Sequence, residues 1–122
     1  MPATLPLPHR PLTRSVVLLA GLAAQAGAIA LIGPWSLALW LVPDIALLAG
    51  ASREFAQTGR LHPRAVRLYN VLHAVPGPVA LIAVGALVSP TALGIGLVWL
   101  SHVAVDRAAG YGLRAPDGSI RG

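Results

Sequence analysis

The chain reads as an all-α integral membrane protein, a four-helix up-down bundle with its N- and C-termini in the cytoplasm. Three observations predict this class. Of its 122 residues, 56% are hydrophobic and 11% charged, and the mean hydropathy is +0.72, a balance that calls for lipid rather than water around the chain. Its apolar residues fall into four runs, each close to the roughly 20 helical residues that cross a hydrocarbon core. Its basic residues, all nine of them arginine, flank those runs on one side only.

Residues 1–14 are a Pro-rich leader carrying His9, Arg10 and Arg14, which predicts no packed element. Residues 15–32 form the first span, apolar apart from Gln25. Within it Ala20, Ala24 and Ala28, with Gly21 and Gly27 beside them, predict a face that a neighbouring helix approaches closely. A cleaved signal peptide is the competing reading, because Arg14 precedes an apolar run and Ala24-Gln25-Ala26 fits a small-residue cleavage pattern. The run continues past that point to Ile32, which favours a retained span.

Gly33-Pro34 turns the chain, and residues 35–51 form the second span, in which Pro43 removes one intrahelical bond and predicts a kink beside Asp44. Residues 52–67 are the one long polar connection, with Arg53, Glu54, Arg60, Arg64 and Arg67 around Gly59 and His62-Pro63, and leave room for a short surface helix. The third span, 65–88, holds Tyr69, Asn70 and His73 before Pro76-Gly77-Pro78 interrupts it. Those prolines cannot donate to the carbonyls of Leu72 and Ala74, so free acceptors are expected beside His73. Ser89-Pro90-Thr91 turns the chain into the fourth span, 91–107. The four-helix domain thus covers 15–108, and residues 109–122 form a short Gly-rich basic tail.

Arg10 and Arg14 precede the first span, Arg53, Arg60, Arg64 and Arg67 lie between the second and third, and Arg107, Arg114 and Arg121 follow the fourth. The other two loops contain none. The positive-inside rule then puts both termini and the long loop in the cytoplasm and predicts a multi-pass protein of the inner cell membrane. The same placement disposes of nucleic acid as a partner, despite a net charge of +5 and a pI near 11.5. These arginines orient the chain and touch anionic lipid heads. Cysteine is absent, which removes disulfides and thiolate ligands, so a metal here needs histidine or carboxylate ligands.

Depth follows from about 1.5 Å of rise per residue. His73 lies about eight residues in from the cytoplasmic end of its helix, His102 about five or six and Asp44 about eight or nine, with Asn70 and Asp106 about one turn nearer the cytoplasm. Asn70 and His73 share a helix face, as do His102 and Asp106. The five form one polar layer. An intramembrane carboxylate costs about 2.5 to 3.5 kcal/mol on insertion scales and normally faces a partner or a water-filled cavity.

Pro43-Asp44, Tyr69-Asn70 with His73 and then Pro76 or Pro78, and Trp99, His102, Asp106-Arg107 and Gly110-Tyr111-Gly112-Leu113 together resemble the small bacterial membrane family called domain of unknown function 4260. The resemblance covers residues 16–114. It implies a four-helix membrane protein and assigns no activity. Where the family tail usually ends Thr-His-Leu-Gly, this chain reads Gly118-Ser119-Ile120-Arg121-Gly122, so no tail histidine carries over.

The residues themselves support several functions. The first is a metal site with His73 and His102 as nitrogen ligands, Asp106 or Asp44 as oxygen ligand and an open position for water, suited to zinc or another divalent ion and to hydrolysis of a lipid-like substrate. In that reading, or in a metal-free acid-base version, Asp44, Asn70, His73, His102 and Asp106 are the catalytic set, and Tyr69, Arg67, Arg107 and Tyr111 meet the substrate or lipid head group. A second reading is a proton- or ion-coupled small transporter, which in so short a chain calls for a homodimer. A third is a haem held by His73 and His102 from opposite sides, with Arg67 or Arg107 at its propionates. The plainest is a helix-packing network whose bonds average about 0.6 kcal/mol in membranes. Gly110-Tyr111-Gly112 is no nucleotide loop, since no strand precedes it and no helix follows. Trp35 reads as an interfacial anchor, and Trp40 and Trp99 as packing residues.

Overall fold

The computed structural model describes residues 11–50 and 53–120, and over these it is all-helical apart from one isolated backbone bridge in the tail. Helix α1 (Pro11–Ile32) is followed by α2 (Ser36–Leu39), a 3-10 turn (Val42–Asp44), α3 (Ile45–Ala49), α4 (Arg53–Thr58), α5 (Pro63–His73), α6 (Pro76–Val88) and α7 (Pro90–Ala109). Helix α7 is the centre of the packing, with α1 and α6 both lying along it. Helix α3 and the 3-10 turn rest instead on α5.

Two helices are long and apolar enough to cross a membrane, and the α5–α6 pair makes a third candidate span, bent by 41°. Leu19, Leu22, Leu87, Val88 and many other large apolar side chains face outward, as lipid-facing residues do and a water-soluble surface of this extent does not.

Two expectations are revised, and a further break falls where the prolines predict it. Helix α1 begins at Pro11 rather than 15, so the end of the expected leader is helical; residues 1–10 lie outside the described residues. The run expected over 35–51 is not one continuous helix: among the described residues it is three short helical pieces. Pro43 has no N–H to give, and the Asp44 N–H bonds to the Leu41 carbonyl, three residues back instead of four, so the α-helical ladder is cut there. The third run breaks at Ala74 and Val75, where α6 restarts with Pro76 at its first position, a place where a missing N–H costs nothing.

Small residues set how closely the helices approach. A Cβ added to Gly96 lies 2.8 Å from the Ile82 side chain and 2.9 Å from its backbone nitrogen, and one added to Gly85 runs into the Leu93 backbone. On α1 the face turned to α7 carries Gly21, 3.1 Å from the Ala104 Cβ by the same construction, with Gln25 and Ala28 buried in line with it. Ala20 points outward. Gln25 gives its amide N–H to the Ser36 hydroxyl at 3.2 Å, which joins the polar side chain in the middle of the first span to α2.

The tail is docked. The Leu61 N–H donates to the Gly118 carbonyl at 2.9 Å, and Arg114 pairs with Ile120 across a tight turn. Gly118 has φ +86° and leaves no space for a Cβ against the Leu61 carbonyl, so only glycine fits. Ser119 donates from both its N–H and its hydroxyl to Asp117, which holds that carboxyl below the usual range.

Candidate functional site

Four of the five residues of the expected polar layer meet at one point. Asp44 comes from the 3-10 turn, His73 from the last turn of α5, and His102 and Asp106 from one face of α7. The Nε2 atoms of the two histidines are 3.2 Å apart. The Asp44 carboxylate lies 3.3 Å from each of them, and the Asp106 carboxylate 3.4 Å from His73 and 3.2 Å from His102. One ligand atom from each residue falls within 4.8 Å of all the others.

The backbone fixes which nitrogen of each ring faces the centre. His73 Nδ1 is 2.9 Å from the Tyr69 carbonyl, and His102 Nδ1 is 2.6 Å from the Trp40 carbonyl. A carbonyl only accepts, so both Nδ1 atoms donate and each neutral ring turns a bare Nε2 lone pair inward. The Trp40 carbonyl is free for this because the Asp44 N–H bonds to Leu41. The break at Pro43 thus supplies both a carboxylate and the acceptor that orients the opposite histidine.

Aromatic rings hold the imidazoles from outside. Tyr69 stacks on His73 with centroids 3.9 Å apart and planes 11° off parallel; Trp40 leans on His102 at 4.4 Å and gives its indole N–H to the Ser101 hydroxyl. The histidines are fully buried, whereas side-chain exposure is 37% for Asp44 and 19% for Asp106. The cluster therefore has a closed histidine floor and an open carboxylate side.

The remaining expected site residues lie elsewhere or act from behind. Asn70 clamps the tail, accepting from the Arg114 N–H at 2.7 Å and donating to the Arg114 carbonyl at 3.0 Å. Arg107 donates to the His73 carbonyl at 2.9 Å and to the Tyr111 carbonyl at 3.1 Å, so it braces the end of α5. Tyr111 is half-exposed after Gly110, which ends α7 at φ +96°, and Arg67 lines a surface groove with Asn70, Val66 and Pro116. A porphyrin plane has no place between two Nε2 atoms 3.2 Å apart with carboxylates beside both, which overturns the haem expectation.

Trp40, Trp99 and Arg114 have roles beyond those the sequence suggested. Trp99 gives its indole N–H to the Leu72 carbonyl at 2.6 Å, the acceptor that Pro76 frees. Arg114 is buried, donates to the Gly59 and Gly118 carbonyls and lies 5.1 Å from the centre of the Tyr69 ring. Free carbonyls near Pro76 signalled the first of these; nothing local to Arg114 signalled the last.

A family described as a domain of unknown function, DUF4260, matches residues 12–120. The chain belongs to the DUF4260 family. All four residues of the cluster fall inside the DUF4260 match. No curated protein and no solved structure matches the chain.

Proposed function

We propose that His73, His102 and Asp106 hold a divalent metal ion, with Asp44 beside the position left open for water, and that the protein is a membrane hydrolase acting on a lipid-like substrate. The observation that carries this reading is the pair of buried Nε2 atoms 3.2 Å apart, with both Nδ1 atoms committed to backbone carbonyls. Two lone pairs and two carboxylates pointing at one centre repel unless a cation joins them. Zinc bonds of about 2.0 to 2.2 Å give ligand-to-ligand edges of about 3.3 to 3.6 Å in a tetrahedron, close to the 3.2 to 3.4 Å among His73, His102 and Asp106. Histidines whose other nitrogen donates to a carbonyl are the common second-shell arrangement of metal ligands.

A bound divalent ion supplies Lewis acidity and a water acidic enough to attack at neutral pH. The chain supplies the rest. His73 and His102 form a rigid floor, Asp106 would complete the ligands at the rim, and Asp44, the more exposed carboxylate, would hold a proton released from a water bound there. The arginine distribution supports an orientation with both termini and the 52–67 connection in the cytoplasm of an inner membrane, where the bent α5–α6 pair and the short helices of 36–49 complete a four-pass arrangement. A metal-free proton relay through the same four side chains is the competing reading.

Elemental analysis of protein purified in mild detergent separates them. Near-equimolar zinc, manganese or iron, lost in folded His73→Ala and His102→Ala, supports the metal site. Wild-type protein that carries none and takes up none on addition of zinc or manganese refutes it and leaves the relay.

A further inference from the structure

An apolar cavity of about 240 Å³ lies between the same elements that carry the cluster. Its wall includes Pro43 and Leu72, the residues directly before Asp44 and His73, and Val98 and Trp99, one helical turn before His102. Val42 and Ile95, both partly exposed, form its outer rim, so it opens on the lipid-facing side. An apolar cavity of about 150 Å³ stays dry and takes up benzene; this one has room for more than that. An all-apolar recess walled by the residues that immediately precede Asp44 and His73, one helical turn from His102, stands beside a polar cluster and so suits an occupant with two ends of opposite character.

We propose that the cavity binds the aliphatic chain of a single-chain acyl amphiphile, which enters from the bilayer past Val42 and Ile95 and presents its carbonyl or carboxylate head to the His73–His102–Asp44–Asp106 cluster. The assignment of the head rests on the metal-site reading. The assignment of the chain rests on the cavity alone.

Trp99 in the wall gives the readout. Protein in phosphatidylcholine vesicles is titrated with ω-bromoundecanoate, whose bromine quenches a nearby indole, and metal content is measured on the same samples. Binding in the cavity predicts saturable quenching that is largely lost in Trp99→Phe, and a half-saturation point raised about tenfold in Ile95→Phe, which fills the rim while metal content stays constant. Quenching that rises without saturation, and equally in wild type and Ile95→Phe, overturns the proposal, because the probe is then only dissolved in lipid. Metal-free protein with saturable Trp99 quenching retains the chain site and refutes the metal reading. Metal-loaded protein without saturable quenching does the reverse.

Discussion

His73 and His102 approach each other through their Nε2 atoms, 3.2 Å apart, while their Nδ1 atoms point away from each other onto the Tyr69 and Trp40 carbonyls. The two histidines lie 29 residues apart in sequence, on different helices, and each is oriented by a different stretch of backbone. The site is thus set by main-chain geometry as much as by its ligands. On the metal-site proposal, chelation is expected to lower the melting temperature of wild-type protein and not that of His102→Ala. A ligand at 100 times its Kd stabilises by about 2.7 kcal/mol, which thermal unfolding in detergent resolves.

Pro43 is expected to control metal affinity without touching the metal. In Pro43→Ala the cut in the ladder can heal, and the Asp44 N–H is then free to bond four residues back to the Trp40 carbonyl. His102 Nδ1 competes for that carbonyl and loses its fixed direction. Loss of an orienting partner costs about 10- to 100-fold in affinity, measurable by competition with a chelator of known strength. Pro34→Ala, in the turn before α2, is the control and leaves affinity unchanged.

The contrast between Asp44 and Arg114 shows what a sequence can carry. Helical spacing puts Asp106 beside His102, and counting rise along each run puts Asp44 and His73 near the same depth, so these four residues are legible from spacing and depth, together with one that does not join them. Spacing on one helix also pairs Asn70 with His73, yet Asn70 turns to the tail, because a residue 44 positions later offers both a backbone donor and an acceptor. Such a pairing has no local signature. Composition likewise marks 35–51 as apolar but is blind to whether a central proline kinks a helix or ends it, which here depends on α5 receiving the freed segment.

Trp99→Phe is expected to cost more than an ordinary bond between membrane helices. Such bonds average about 0.6 kcal/mol because the separated helices find other partners. The Leu72 carbonyl has none, since Pro76 occupies the position whose N–H would reach it. An acceptor left bare in apolar surroundings costs about 1 to 3 kcal/mol, so the loss falls in that range. Trp35→Phe, at a half-exposed position, stays within about 0.5 kcal/mol of wild type.

Arg114→Met is expected to release the tail while the metal stays bound. The buried guanidinium is the donor for both the Gly59 and the Gly118 carbonyls, and bonds from a charged donor are worth about 1.5 to 3 kcal/mol each. Water reaches the loop once it opens, so the net loss lies near the bottom of that range, about 2 kcal/mol. Hydrogen exchange at the Leu61 amide, which donates to Gly118, reports it directly and accelerates at least about tenfold. Arg114→Lys recovers only part of the protection, because an ammonium lacks the flat guanidinium face that lies over Tyr69. Asp117 gives the turn a pH dependence of known sign. Its carboxyl is held below the usual value by Ser119, so its contribution is complete above the unfolded value of about 3.9 and is lost as pH falls through the lower folded one. Exchange at Leu61 in wild type therefore shows no Asp117-linked acceleration from neutral pH down to the unfolded value and shows it only in stronger acid. Asp117→Asn removes that acid step. The Tyr69 and Trp40 carbonyls that orient the two histidines lie outside the tail, so metal content is expected to be equal in wild type, Arg114→Met and Asp117→Asn.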